Sequence, residues 1–228
     1  VPLDAFSNKA GYQYGNWVFW EYLSNNYGIG IVKKAWQEAG SLKKDGGKNS
    51  ITALQKILRK KGGLTKVYAK FAAGNLTPAV NYPEGAEYPF PKVRGGKRLS
   101  KGKRSKRFGT KVDHLASASY IYAPGRGLSG KKWKLSVAVN GPLKRTSPSA
   151  VVVVHLRNGK RQVRLVRLNG AGDGRTKVSF DGRKVGAVSV TLVNGSTRYD
   201  CGRKTVLACQ GKPLDDNQRF SVTGHVTK

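Results

Sequence analysis

Between residues 11 and 28 the chain reads GYQYGNWVFWEYLSNNYG, and Trp17, Val18, Phe19, Trp20, Tyr22 and Leu23 form an apolar run broken only by Glu21. Residues 12–23 therefore predict a helix that is apolar on nearly all sides, the pattern of a helix covered by neighbours. Three amphipathic helices are expected after it. IGIVKKAWQEAG places Ile31, Val32, Ala35, Trp36 and Ala39 at helical spacing and stops at Gly40. NSITALQKILRKKGG starts on an Asn49/Ser50 cap, repeats Ile51, Leu54 and Leu58, and ends at Gly62. LTKVYAKFAAGN repeats Leu64, Val67, Tyr68 and Phe71 and stops at Gly74.

The pattern then changes twice. Pro78, Pro83, Pro89 and Pro91, followed by ten Lys and Arg without an acid between residues 92 and 111, predict an extended linker over 77–112. VVVVHL (151–156), RQVRLVRL (161–168) and VGAVSVTLV (185–193) are rich in β-branched residues. Asn-Gly or Asp-Gly pairs separate them, starting at Asn140, Asn158, Asn169, Asp173, Asp181 and Asn194. That spacing predicts an antiparallel β-sandwich over 113–228. Arg164 and Arg167 lie three apart, so alternation predicts a bulge or a solvated end of the sheet there. The expected fold class is α+β in two segregated parts: a helical domain or half-domain of about four helices over 1–76, the linker, then the sandwich.

The three lysine-rich later helices have apolar surface for one or two sides of the opening helix. The expectation is therefore that the helices are the distal part of a larger body. A missing N-terminal half, or another protein chain, would lie over the first helix. The alternative is a four-helix bundle with that helix at its centre.

Charge extends the picture. Lys and Arg number 43 against 12 Asp and Glu, a formal net charge of +31. Such an excess attracts polyanions: nucleic acid, anionic wall polymers, acidic glycans or anionic lipid. The densest run is Lys97, Arg98, Lys101, Lys103, Arg104, Lys106 and Arg107, a candidate polyanion-binding segment whose plainer reading is a solvated linker open to proteolytic processing. Phe108 is its one neighbouring aromatic, so base stacking is not suggested. No stretch approaches the roughly 18–20 apolar residues of a membrane-spanning helix.

Cys201 and Cys209 are the two cysteines, in YDCGRKTVLACQG. Their short separation suits a disulfide-closed loop made in an oxidising compartment, contributing about 2.5 kcal/mol by loop entropy. Two reduced thiols are the alternative, and a metal site is less favoured because no His cluster lies near them. The expected location is secreted or extracellular. No signal peptide is visible at Val1, which leads to the expectation of a mature or processed piece.

The helical segment also resembles a known family. YQYGNWVFWEYLSNNYGIGIVKKAWQEA, SITALQKILRKK and LTKVYAKFAAGN are similar to the region that follows the zinc site in gluzincin-type metallopeptidases, above all secreted bacterial ones that end in a β-sandwich. The shared pattern is Tyr-x-x-Gly opening an apolar helix, a Trp-bearing helix, and a closing FAAGN; DHLASASYIY and PLDDNQRFSV extend it weakly. The resemblance implies a hydrolase parent whose His-Glu-x-x-His helix supplies zinc ligands and a general base. This chain has His114, His155 and His225 and no such motif, so zinc is expected only with the upstream half, and the chain alone is expected to be inactive. The resemblance also implies that Tyr12, followed by Gly15, could donate to an oxyanion. The plainer role is an anchor for the helix start. Glu21 reads as a helix-surface charge.

Asp113-His114 suggests a cap or strand edge, and His155 a strand residue with a hydrogen-bond partner. Asp215 and Asp216 make a weak calcium-type pair. Asn75 and Asn194 begin sequons. Two functions follow. One is the C-terminal fragment of a secreted zinc metallopeptidase, whose helices complete the catalytic domain and whose sandwich binds substrate or a surface. The other is a non-enzymatic secreted protein that binds polyanions or serves in assembly.

Overall fold

Helix stop signals and strand-forming runs fall where the sequence placed most of them. A computed structural model of the chain describes residues 2–5, 16–40, 49–89, 92–201 and 211–228. Five helices come first: α1 (Trp17–Tyr27), α2 (Gly30–Ala39), α3 (Ser50–Leu58), α4 (Leu64–Gly74) and α5 (Pro78–Asn81). The Asn49 side chain accepts from Thr52 N–H at 2.9 Å, satisfying an orphan donor at the start of α3. Gly28, Gly62 and Gly63 lie at positive φ, where glycine closes α1 and the turn after α3 without Cβ strain.

The inner helix is α4, not α1. Leu64, Val67, Tyr68, Ala69, Phe71, Ala72 and Ala73 are all buried there, whereas α1 buries Phe19, Tyr22 and Leu23 along one stripe. Trp17 stays 50 % exposed. Size explains the exchange: the alanines bring the α4 backbone close to its neighbours, while indole rings fit at a rim. Phe19 and Tyr22 meet Phe71 edge-on, with centroids 5.0 and 5.5 Å away.

The other side of α4 lies on the sandwich. A five-stranded sheet has the order β1 (Gly95–Leu99), β3 (Ala116–Pro124), β8 (Val185–Asn194), β5 (Pro148–Leu156), β6 (Arg161–Leu165). A four-stranded sheet has the order β2 (Ser105–Val112), β11 (Gln218–Thr227), β4 (Lys134–Asn140), β7 (Asp173–Ser179). A short ladder joins β9 (Tyr199–Asp200) to β10 (Lys212–Pro213). Pairing is antiparallel in the large sheets except for β1 with β3. Tyr120, Tyr122, Val137, Val152, Val190 and Val222 fill the space between the two sheets. Val151, Val153 and Val193 point the other way and join Leu115 in the helical core. The result is three layers: helices, five-stranded sheet, four-stranded sheet.

That layering supplies part of the cover expected for α1. Phe19 packs on Tyr68 and Phe71 of the chain's own α4, and Phe19 and Leu23 are buried, while Trp17 is not. A strand such as β5, buried on both faces, reads as a continuous apolar run, and VVVV carries that signature.

The expected linker over 77–112 is also corrected, since it holds α5, β1 and β2. Backbone pairing accepts any side chain, and charged residues are common on strands at sheet edges. β1 and β2 are such edges. Their inward positions are apolar: Leu99 and Val112 are buried, and Phe108 stacks on Tyr120 with centroids 4.8 Å apart. The RQVRLVRL segment forms strand only to Leu165, so Arg164 and Arg167 do not share one ladder. Cys201 is disulfide-bonded, and Cys209 lies outside the described residues.

Candidate anion-binding surface

The four-stranded sheet presents a polar face to solvent, and alternation dictates what stands on it. Phe220, Val222 and Val226 of β11 and Leu135, Val137 and Val139 of β4 are buried in the core between the sheets. Their neighbours Arg219, Ser221, Thr223 and His225, with Lys134, Ser136, Ala138 and Asn140, therefore face outward. Register then aligns the outward positions across all four strands. Arg107 pairs with Thr223, Thr223 with Ala138, and Ala138 with Arg175. The adjoining row is Gly109, Ser221, Asn140 and Asp173, and beyond it Lys111 pairs with Arg219. On the other side His225 pairs with Ser136, and Ser136 with Lys177.

Six cations therefore share this face (Arg107, Lys111, Lys134, Arg175, Lys177 and Arg219) with one acid, Asp173. A cavity of about 560 Å³ opens over its centre, with Arg107 at one wall and Arg175 at the other. Ala138, Ser221 and Thr223 contribute to its lining, and it is broadly open to solvent. Arg107 Nη2 donates to Ser221 Oγ at 3.1 Å, which fixes the guanidinium over the sheet. Asn140 Nδ2 donates to Asp173 Oδ1 at 2.5 Å. Asn169 Oδ1 accepts from the N–H groups of Ala171 and Asp173 and holds the loop at that end. Among the described residues, neither Arg107 nor Arg175 is in an ion pair.

The basic run marked from sequence is divided by the fold. Lys97 and Arg98 lie on β1, at the edge of the other sheet, where Arg98 Nη1 donates to the Pro124 carbonyl at 3.1 Å. Lys101 and Lys103 occupy the exposed turn before β2. Arg104 Nε donates to the Lys101 carbonyl at 2.9 Å, and its guanidinium lies 5.9 Å from the centre of the Trp133 ring. Lys106 Nζ sits 5.5 Å from the Phe108 ring centre, on the opposite side of β2 from Arg107. Of the seven, Arg107 alone joins the face. Arg175, Lys177 and Arg219 were missed by density, yet alternation in GRTKVS and RFSVTGHVT marks them.

The remaining candidates separate. Tyr12 lies outside the described residues. Glu21 accepts from the Tyr88 hydroxyl at 2.8 Å, so it pins the segment after α5 to α1. His155 Nε2 lies 2.9 Å from Ser189 Oγ; burial, with Arg161 nearby, pushes its pKa down. His225 is exposed on the sheet face. Among the described residues, no group of three or more His, Cys, Asp or Glu converges as a metal site. Asp215 binds Ser196 and Arg198, while Asp216 binds His114, so the two carboxylates do not act as one calcium-type pair. Asn194 is buried and donates to the Val112 and Asp215 carbonyls, which removes it as a glycan acceptor.

His114 is a structural clamp. Its Nδ1 lies 2.5 Å from Asp216 Oδ1 and its Nε2 3.0 Å from Asp4 Oδ1, and the Tyr199 hydroxyl also donates to Asp4. Burial pushes the His114 pKa down, but hydrogen bonds and charge from Asp4 and Asp216 outweigh it and the net shift is upward. Burial likewise raises Asp4, but its bonds to His114 and Tyr199 win and the net shift is downward. A raised His stabilises fully below its ordinary 6.5 and loses that as pH rises through the folded value. A lowered Asp stabilises above its ordinary 3.8 and loses that as pH falls through the folded value. The clamp is therefore strongest between about pH 4 and 6.5. His114→Gln is expected to cost about 2–3 kcal/mol at pH 5, below the figure for a fully buried pair because the Asp216 side chain is 39 % exposed. Urea midpoints of both proteins across pH 4–9 check it: the gap narrows toward alkaline pH, and a constant gap removes the clamp.

No family model matches the chain, and no curated protein matches it. Among solved structures the chain is similar to PliG of Salmonella Typhimurium, a periplasmic inhibitor of g-type lysozyme, at 12 % identity over 60 % of this chain and 100 % of that one, TM-score 0.31. A family 16 carbohydrate-binding module is similar at 12 % identity, 53 % and 76 % coverage, TM-score 0.31. CorA, a surface-associated copper-binding protein of Methylomicrobium album BG8, is similar at 9 % identity, 58 % and 97 % coverage, TM-score 0.30. Likeness at this level carries no argument about what the chain does.

Proposed function

We propose that this chain is a non-enzymatic, secreted binding protein that holds an anionic polymer on the outward face of the β2-β11-β4-β7 sheet. One observation carries the reading: Arg107, Thr223, Ala138 and Arg175 stand in register across all four strands, with a cavity between the two guanidiniums. The formal charge of +31 adds a long-range field that draws polyanions toward the molecule. The disulfide-bonded Cys201 supports an oxidising compartment. Among the described residues no helix is long and apolar enough to cross a membrane.

Titration with heparin at about 50 and about 200 mM salt tests the reading. Six cations engaging the polymer would weaken binding about 10³-fold over that interval, through release of condensed counterions. Affinity that does not change with salt removes the proposal.

A second reading, the distal portion of a gluzincin-like peptidase, draws on a different observation. Trp36 and Ile29 are 73 % and 78 % exposed, and Trp36 borders an apolar cleft with Trp20, a surface that a further protein body could cover. It treats the helical layer as incomplete by itself, whereas the binding-protein reading treats it as part of one folded unit. Cooperative unfolding of the isolated chain separates them.

A further inference from the structure

The cavity between Arg107 and Arg175 has features that a uniform anion trap would not need. Thr223 stands on its floor, and among the described residues its hydroxyl has no protein partner. Ser221, Asn140 and Asp173 line the same space, so hydroxyl, amide and carboxylate groups alternate with the two guanidiniums. The Asp173 carboxylate can accept a hydrogen bond from a hydroxyl but repels a phosphate or sulfate brought against it. Arg107 and Arg175 are separated by three inter-strand spacings, roughly 14 Å. In duplex DNA each strand carries a charge about every 3.4 Å of helix axis. Within the cavity the two cations are set at the wider spacing, with hydroxyl-binding groups and an acid between them, a sparser pattern than that density.

Aromatic placement points the same way. Phe108, Tyr120, Tyr122 and Phe220 are turned into the space between the sheets. No Phe, Tyr or Trp stands at an outward position of β2, β11, β4 or β7, and the His225 ring is outside the cavity lining, so bases find no stacking platform within the cavity. Gly224 leaves room for one of the inward rings: a Cβ there would lie 2.6 Å from Tyr122.

Resting on the polyanion-binding reading, we infer that the ligand of this cavity is an acidic polysaccharide, whose carboxylate or sulfate groups are spaced by sugar hydroxyls. The guanidiniums take the anionic groups in charge-assisted, two-pronged hydrogen bonds. Thr223, Asn140 and Asp173 take hydroxyls between them.

The test compares the whole chain with Thr223→Val and Asp173→Asn, titrated at one salt concentration with three charge-matched probes. These are an oligogalacturonate, a heparin-derived oligosaccharide and a thymidine oligonucleotide. The expected result is at least tenfold tighter binding of one sugar probe than of the oligonucleotide. Binding of the oligogalacturonate shows that carboxylates suffice; binding of the heparin oligosaccharide without the oligogalacturonate shows that sulfate is required. Thr223→Val weakens the sugar about tenfold and leaves the oligonucleotide unchanged, while Asp173→Asn strengthens the oligonucleotide. Circular dichroism confirms that both variants fold, and each is read independently, so loss of one leaves the other decisive. Equal binding of sugar and oligonucleotide, with neither variant changing their ratio, overturns the polysaccharide assignment and leaves polyanion binding standing. Failure of all three probes to bind overturns both.

Discussion

Arg107→Glu combined with Arg175→Glu is expected to lower heparin affinity at least about 100-fold. Each guanidinium supplies hydrogen bonds to an anion worth about 1.5–3 kcal/mol, and about 1.4 kcal/mol is a factor of ten. Losing two contacts should also reduce the slope of log affinity against log salt by about two. The matched control is Lys101→Glu with Lys103→Glu, which makes the same charge change on the exposed turn before β2. Only the long-range field alters there, so a loss of no more than about threefold is expected at 150 mM salt, where charges separated by more than about 8 Å are largely screened. If the turn variant weakens binding as much as the face variant, the protein binds through diffuse charge and the register row has no special part in it.

Phe19→Ala is expected to cost about 3–5 kcal/mol, the usual penalty for emptying a buried aromatic site. Phe19 lies between Phe71 and Tyr68 of α4, and α4 in turn rests on Val151, Val153 and Val193 of the five-stranded sheet. The loss should therefore shift one unfolding transition shared by helices and sandwich, seen together by helical circular dichroism and by the fluorescence of Trp133 in the sandwich core, measured in a background with Trp17, Trp20 and Trp36 of the helices replaced by Phe. An early, separate melting of the helical signal would show that the helical layer lacks its natural cover. That outcome would favour the peptidase-fragment reading and count against a self-sufficient binding protein.

The segregation into helices followed by strands could be read along the chain because it rests on local periodicity. Gly40 and Gly62 end helices where a stop was expected, and Asn49 caps α3. Residues 92–112 were misread because charge density concealed alternation. In SKRFGTKV the cations mark a solvated edge, and Phe108 and Val112 mark the core side. For α1, an all-apolar helix states that cover is needed without stating what provides it. The unbroken valines of β5 held the missing information: a strand apolar on both faces needs a layer on each side.

Periodicity, capping and turn chemistry are carried by neighbours in the chain, so the sequence alone determined the order of helices and strands and the strong positive charge. The meeting of Arg107 with Arg175, and of Asp4 with His114 and Asp216, joins residues tens to hundreds of positions apart. Only strand order and register decide such meetings. Those are set by how the sheets and helices pack together, because shifting a strand by one residue would turn every cation on it from solvent into the core.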